Sequence, residues 1–358
     1  LFAPPRHIVR ARSLAPVMWL PGDSPPIASL AELAVDTALL CPETAATGAA
    51  RPWWGGAPPA SPDTVLPAVT ISLLPPWTVV FGGAHFVTAA QGRFVSELFP
   101  PGLGSDYAAV DAVAPFDLPV EDVAAEVLLA GRPGPMAQGD WIGACLADVV
   151  LAEYAWPGRY RLLVPDCVRA PLAALLLEAL GVGPDRLIVA RPDRQYRFTR
   201  LFAVQGGAPG GIPHPSASDL LRARLGGAPG PTRSRIAIAG PPGDRANAAE
   251  IERLLGARGF AVLDPDAAAA QVLQALPSAR MVYLAPGVPE ALLMAAADGV
   301  AAIVADPAAE SGGLRRALVG ARNGRLAELT GAASAEALSE GVVLDPHVLA
   351  GLLEPGLG

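Results

Sequence analysis

Between Arg235 and Asp306 the chain alternates apolar runs of strand length with stretches of helical length, and nothing else in it restricts the fold as much. Ile236–Ala239 reads as a strand. A Gly/Pro loop follows, Gly240-Pro241-Pro242-Gly243-Asp244-Arg245, then a helix from Asn247 to about Ala257. Phe260–Leu263, Met281–Leu284 and Ala301–Ala305 read as further strands, separated by a helix ending near Leu276 and another from Pro289 to Ala297. Strands alternating with helices define βαβ units and a parallel sheet. Ligands of open parallel sheets bind at the carboxyl ends of the strands, where helix N-termini offer free N–H groups to phosphates. The loop after the first strand is therefore the first place to look for chemistry.

The length of 358 residues implies two or three domains. An apolar fraction of 52% suggests a membrane protein, but alanine carries much of it, and charges, Pro or Gly break the Leu/Val runs. No stretch reaches the ~20 apolar residues of a membrane-crossing helix. No basic segment followed by an apolar run opens the chain, so no secretory leader is expected. The chain contains no lysine, which excludes a Walker lysine, a Schiff-base lysine and a lysine base. A net charge of −8 argues against a nucleic-acid partner. Cys41, Cys145 and Cys167 lie far apart, as do the four histidines, so no metal-ligand spacing appears. Buried thiols in a reducing cytoplasm are the expectation.

Residues 1–130 read as an irregular, β-rich region, with strand-like runs at Ala68–Ile71, Trp77–Val80 and Phe86–Thr88 and a turn at Ala90–Arg93. Trp53-Trp54 sits in a turn-rich context. Residues 131–230 read as a first α/β domain: a helix over Trp141–Ala155, strands at Arg161–Val164 and Arg186–Val189, and a helix over Pro171–Leu180. A further strand at Leu201–Val204 and a short helix at Asp219–Leu225 follow. The Gly226–Pro231 segment reads as a linker to a second α/β domain, 231–358.

Four features carry candidate chemistry. Asn247 and Glu250 fit the two ends of a capping box, and the same helix start suits a phosphate, with Arg245 just upstream. The Gly240–Gly243 loop is rich in proline, which removes N–H donors, so it reads first as a turn. Pro286-Gly287-Val288-Pro289 occupies a strand end where a ligand would sit, but offers no acid, base or charge. Asp140, before Trp141, is either a helix cap or a carboxylate base at a cleft edge. Asp148 and Glu153, five residues apart on that helix, do not share a face well.

These segments together resemble glycosyltransferase family 61, of bacterial capsular-polysaccharide type. That family shows a His-Trp-Leu-x-Asp-x-Leu-Pro-Arg helix, a Leu-Leu-Val-Pro strand and a Leu-Leu-x-x-Leu-Gly segment leading to Arg-Ile/Val. The counterparts here are Asp140–Asp148, Leu162–Pro165, and Leu176–Gly181 running on to Arg186-Leu187-Ile188. Its later Ile-Ser-Arg strand end, Asn-Glu-x-Glu helix start, Arg-Gly-Phe and Val-Gly-x-His-Gly-Ala correspond to Ile238-Ala239-Gly240, Asn247–Glu250, Arg258-Gly259-Phe260 and Tyr283–Val288. The resemblance spans roughly residues 66 to 306 as order and spacing.

It implies an α/β protein with two Rossmann-like domains in a GT-B-like arrangement, preceded by the small β-rich region. The implied activity is transfer of a sugar from a nucleotide sugar to a glycan acceptor in surface polysaccharide synthesis, in the cytoplasm, without a metal or other cofactor. Asp140 would be the base; Gly240, Arg245, Asn247, Glu250, Pro286 and Gly287 would line the nucleotide-sugar site. The departures are specific: Asp140 replaces the motif histidine, Ala144 and Asp148 its Asp and Arg, Gly240 the strand-end Arg, and Pro286 the second histidine. Apolar frame positions persist while polar ones change. A catalytically silent relative that binds a glycan or nucleotide, or partners an active transferase, is the alternative.

Overall fold

The computed structural model describes residues 27–45, 51–52, 65–82, 86–98, 118–208, 212–226, 234–240, 247–306, 312–330 and 343–353. Its strands, in chain order, are β1 Ile27–Ala28, β2 Asp36–Cys41, β3 Thr44–Ala45, β4 Arg51–Pro52, β5 Val65–Leu66, β6 Val69–Leu73, β7 Thr78–Phe81, β8 Thr88–Ala90 and β9 Arg93–Val95. There follow β10 Val120–Leu129, β11 Arg161–Val164, β12 Leu187–Val189, β13 Gln195–Gln205, β14 Arg235–Ile238, β15 Ala261–Leu263, β16 Met281–Leu284, β17 Ala301–Asp306 and β18 Arg325–Thr330. They form a ten-stranded mixed sheet, a six-stranded parallel sheet and a small β3–β5 pair, so no single sheet runs through both α/β regions.

The contacts divide the chain into two compact units. The first comprises residues 1–42, 68–168 and 181–207; the second, residues 43–67, 169–180 and 208–358. The first unit holds the ten-stranded sheet, in the order β1-β9-β8-β7-β13-β10-β11-β12, with β2 and β6 attached through β13. Its parallel part, β12-β11-β10-β13, has the 3-2-1-4 order of doubly wound sheets. The strands expected in a separate β-rich region instead complete this sheet, since β6 and β7 both pair antiparallel with β13. An eleven-residue β13 makes that possible, being long enough to present its edge to both. Val123, Val127, Phe198, Leu201 and Ala203 line one core beneath it. The expected turn at Ala90–Arg93 is present: Gln91 and Gly92, both at positive φ, join β8 to β9.

The expected helix over Trp141–Ala155 is two helices, Gln138–Ala144 and Leu146–Ala155, broken at Cys145. The second is buried on nearly every side, with Leu146, Ala147, Val149, Val150, Leu151 and Ala152 all enclosed. The 219–225 helix runs from Pro215 to Arg224 and clusters with the second unit, through Asp219 to Arg322 and Arg222 to Asp298. Proline at its first turn costs no hydrogen bond there, which lets it start early. The boundary near it lies at Gly207–Ala208; residues 227–231 of the expected linker, and Trp53-Trp54, are outside the described residues.

The second unit's sheet has the order β15-β14-β16-β17-β18-β4, all parallel. Ile236–Ile238 and Met281–Leu284 are buried throughout, as continuous apolar runs in a sheet covered on both faces must be. The helix Ala248–Ala257 turns Ile251 and Leu255, one turn apart, inward. The segment expected as a helix over 289–297 is instead a 3-10 helix, Glu290–Ala295, enclosed apart from its first residue. Among the described residues no helix is long and apolar enough to cross a membrane.

Candidate functional site

In the second unit, β14 to β18 follow the spatial order 2-1-3-4-5. Connections leave β14 and β16 in opposite directions, and the crevice between their carboxyl ends is the position where such sheets take ligands. Gly240, Pro286 and Gly287 meet there. Ala285 donates its N–H to the Ile238 carbonyl at 3.1 Å, tying the two strand ends together. Pro286 and Gly287 then form the middle of a tight turn, closed by Val288 N–H to the Ala285 carbonyl at 3.2 Å. Gly287 has φ +78, the left-handed value a type II turn requires after proline. This turn aims the Pro286 carbonyl at Gly240: a Cβ on Gly240 would collide with that oxygen and lie 3.4 Å from its carbon. Glycine is the one residue that admits the approach.

Asn247 occupies the N-cap position of the Ala248–Ala257 helix, but its side chain does not cap. Its amide nitrogen donates to the Leu344 carbonyl at 2.7 Å, and its amide oxygen accepts from Leu344 N–H at 3.2 Å. The expected capping box is therefore absent: the side chain pins the segment before the Pro346–Leu352 helix. Glu250 is exposed in the first turn. Arg245, and the Pro241–Gly243 part of its loop, lie outside the described residues.

A charged group stands one residue beyond the segment that seemed empty of chemistry. Glu290 accepts from Arg315 Nε at 2.5 Å, and Arg315, almost wholly buried, also lies 3.8 Å from Glu328. Burial raises the Glu290 carboxyl above the usual carboxylate range, against the pull of Arg315. Its Oε2 is enclosed and has no hydrogen-bond partner. The signal in the sequence was a lone Glu after Pro289, indistinguishable from a first-turn helix acid until Arg315 is seen beside it.

In the first unit, Asp140 is exposed at the third position of its helix, and its carboxylate accepts the Ala137 N–H at 3.0 Å. Trp141, directly after it, is fully buried and donates its indole N–H to the Ala130 carbonyl at 2.8 Å. The burial at this helix start falls on Trp141, while the Asp140 carboxylate stays in solvent and closes the first turn.

The strongly perturbed carboxyl of this unit is Asp148. It pairs with Arg132, just past the carboxyl end of β10. Burial pushes Asp148 up to about 6 despite that guanidinium, and its Oδ1 has no hydrogen-bond partner. Gly207, just beyond β13, packs against the same carboxylate so closely that a Cβ would strike it. Thus β10 and β13, at the reversal of strand order, bring together Arg132, Asp148 and Gly207. Glu153, one helical turn and a residue further, turns to Arg186, which grips it at 2.5 and 3.1 Å and reaches the Tyr160 carbonyl at 2.7 Å. Arg186, one of the residues that carry the resemblance, is thereby structural. Burial pushes the Cys145 thiol up to about 12 and also raises Cys167, so neither is a ready nucleophile. Among the described residues no group of three or more His, Cys, Asp or Glu is placed to hold a metal ion.

No model of a known protein family matches the chain, and no curated protein matches it.

Proposed function

We propose that the chain is a glycosyltransferase-like protein of GT-B plan, acting in the cytoplasm, which binds a nucleotide sugar at its second α/β domain and does not transfer the sugar. The observation that carries this reading is the use made of Asn247 and Asp140. Each stands at a motif position, and each is spent on the backbone, at Leu344 and at Ala137. Gly240 and Pro286 stand at two further charged or basic motif positions, and there the Pro286 backbone carbonyl lies against Gly240, with no charged side chain from either. The crevice between β14 and β16 and the start of the Ala248–Ala257 helix remain as a place for a diphosphate, with Arg245 as its charged partner.

The test is calorimetric titration with uridine, guanosine and cytidine sugar nucleotides, together with an assay for released nucleotide in the presence of oligosaccharide acceptors. Saturable binding without release supports the reading, and Arg245→Ala should weaken it by about 1–3 kcal/mol. Binding of none of them removes the nucleotide-sugar site. Release above the no-enzyme rate restores an active transferase.

A further inference from the structure

The ten-stranded sheet carries an aromatic and charged strip on the side away from its core. Val123, Val127, Phe198 and Leu201 face the core. Their neighbours Asp122, Glu126, Arg197 and Arg200 therefore face the other way, the irregularity between Val123 and Glu126 keeping the two strands in phase. Asp122 and Arg197 are directly opposite across β10 and β13. They join through two parallel bonds, Nε to Oδ1 at 2.5 Å and Nη2 to Oδ2 at 2.6 Å. The guanidinium of Arg197 lies 5.6 Å from the ring centre of Trp77. Further along, Glu126 receives Arg159 at 3.0 Å and Arg200 at 2.8 Å, and these lie over Trp156 and Phe202.

Trp77 is held by Arg197 and yet remains half in solvent. It is 48% exposed, so its indole contributes little burial for its size. Its backbone has φ +69, a left-handed conformation that is strained for a bulky side chain. The fold enforces it: Trp77 N–H donates to the Phe198 carbonyl at 2.7 Å, and the Thr78 hydroxyl to the Pro75 carbonyl at 2.7 Å. Glycine or asparagine would fit that turn without strain.

We propose that this strip is a carbohydrate-binding surface, with the Trp77 indole as the platform for a pyranose ring and the Asp122–Arg197 fork as the reader of its hydroxyls. A pyranose presents a flat C–H face, which stacks on an aromatic ring, and a rim of hydroxyls that both donate and accept. The fork supplies acceptors and donors in one plane, preorganised by its two bonds. Asp122 is well exposed, with its side chain at 60%, so it reaches a ligand without first giving up its hold on Arg197. Other occupants fit less well. Protein interfaces deplete charge at their centre, whereas this strip carries ion pairs, Asp122–Arg197 and Glu126 with Arg159 and Arg200, along its length. Nucleic acid needs uncompensated positive charge, and here carboxylates answer the arginines in a chain of net charge −8. The strip belongs to the first unit and the β14–β16 crevice to the second, so the inference does not rest on a nucleotide sugar binding there.

The experiment is titration of the whole protein with soluble β-linked tetrasaccharides of glucose, N-acetylglucosamine and galacturonic acid, followed by calorimetry and tryptophan fluorescence. The wild type should bind at least one of them saturably. Trp77→Gly should weaken that binding by about tenfold or more while leaving Tm unchanged or higher, because it removes the platform and relieves the backbone together. Asp122→Asn should weaken it less, since one oxygen remains to accept. Binding of none of the sugars, or undiminished binding by Trp77→Gly, overturns the proposal. So does concentration-dependent self-association abolished by Trp77→Gly without sugar binding, which would make the strip an interface between copies. Nucleotide-sugar titration of Trp77→Gly keeps the two readings distinguishable, because the residues proposed for that site belong to the second unit and are unchanged in the variant.

Discussion

Asp148 gives the sharpest test of how the first unit handles charge. Its side chain is 4% exposed, one oxygen is held by Arg132, and the other faces Gly207 without a hydrogen bond. Burial raises its carboxyl from 3.8 to about 6. A carboxyl with a higher value in the folded state binds its proton more tightly there than in the unfolded chain. Its contribution to stability is therefore fully present below the unfolded value and is lost as pH rises through 6. At about 1.36 kcal/mol for each pH unit, the rise amounts to about 3 kcal/mol. Asp148→Asn keeps the shape and an acceptor for Arg132 but cannot titrate. Urea unfolding of both proteins between about pH 4 and pH 8 isolates this one group, because every other titration is common to both. The wild type should lose up to about 3 kcal/mol relative to the variant as pH rises, most of it between about pH 4 and pH 6. Parallel profiles would mean that the carboxyl is ordinary. A wild type that gains on the variant with rising pH would mean that attraction to Arg132 outweighs burial, and the reasoning fails.

Four further outcomes are expected. Gly207→Ala drives a Cβ into the Asp148 carboxylate, and should cost about 1–3 kcal/mol in urea unfolding. Gly240→Ala meets the backbone carbonyl of Pro286, which is fixed in its turn, and should lower Tm markedly with a cost of about 2 kcal/mol or more; an unchanged Tm would show that the two strand ends are not held together. Asn247→Ala breaks both hydrogen bonds to Leu344 and should cost about 1–3 kcal/mol, with faster amide exchange in Pro346–Leu352 as its local signature. Asp140→Asn keeps an acceptor for Ala137 N–H and should change stability by less than about 1 kcal/mol; a larger loss, or loss of any transfer activity found, would return Asp140 to a catalytic role.

The parallel sheet of the second unit was legible in the chain itself. Runs such as Met281–Leu284, apolar at every position, suit only a strand covered on both faces, and the helical stretches between them leave few topologies. The Pro286-Gly287 turn was equally local, since proline and glycine each supply the backbone angle that their positions need. What the polar residues do was not legible. Asn247 looked like a cap because its neighbours start a helix; its partner, Leu344, is 97 residues away. Asp148 finds Arg132 beyond the end of another element, and Asp122 finds Arg197 across 75 residues of chain. The ten-stranded sheet shows the same limit, for only the pairing of β13 with β6, β7 and β10 decided that the N-terminal strands belong to it. Apolar periodicity reports a residue's relation to the solvent, which is a local property of its element. A hydrogen-bond partner depends on which elements pack together, and that is settled only when the chain closes on itself.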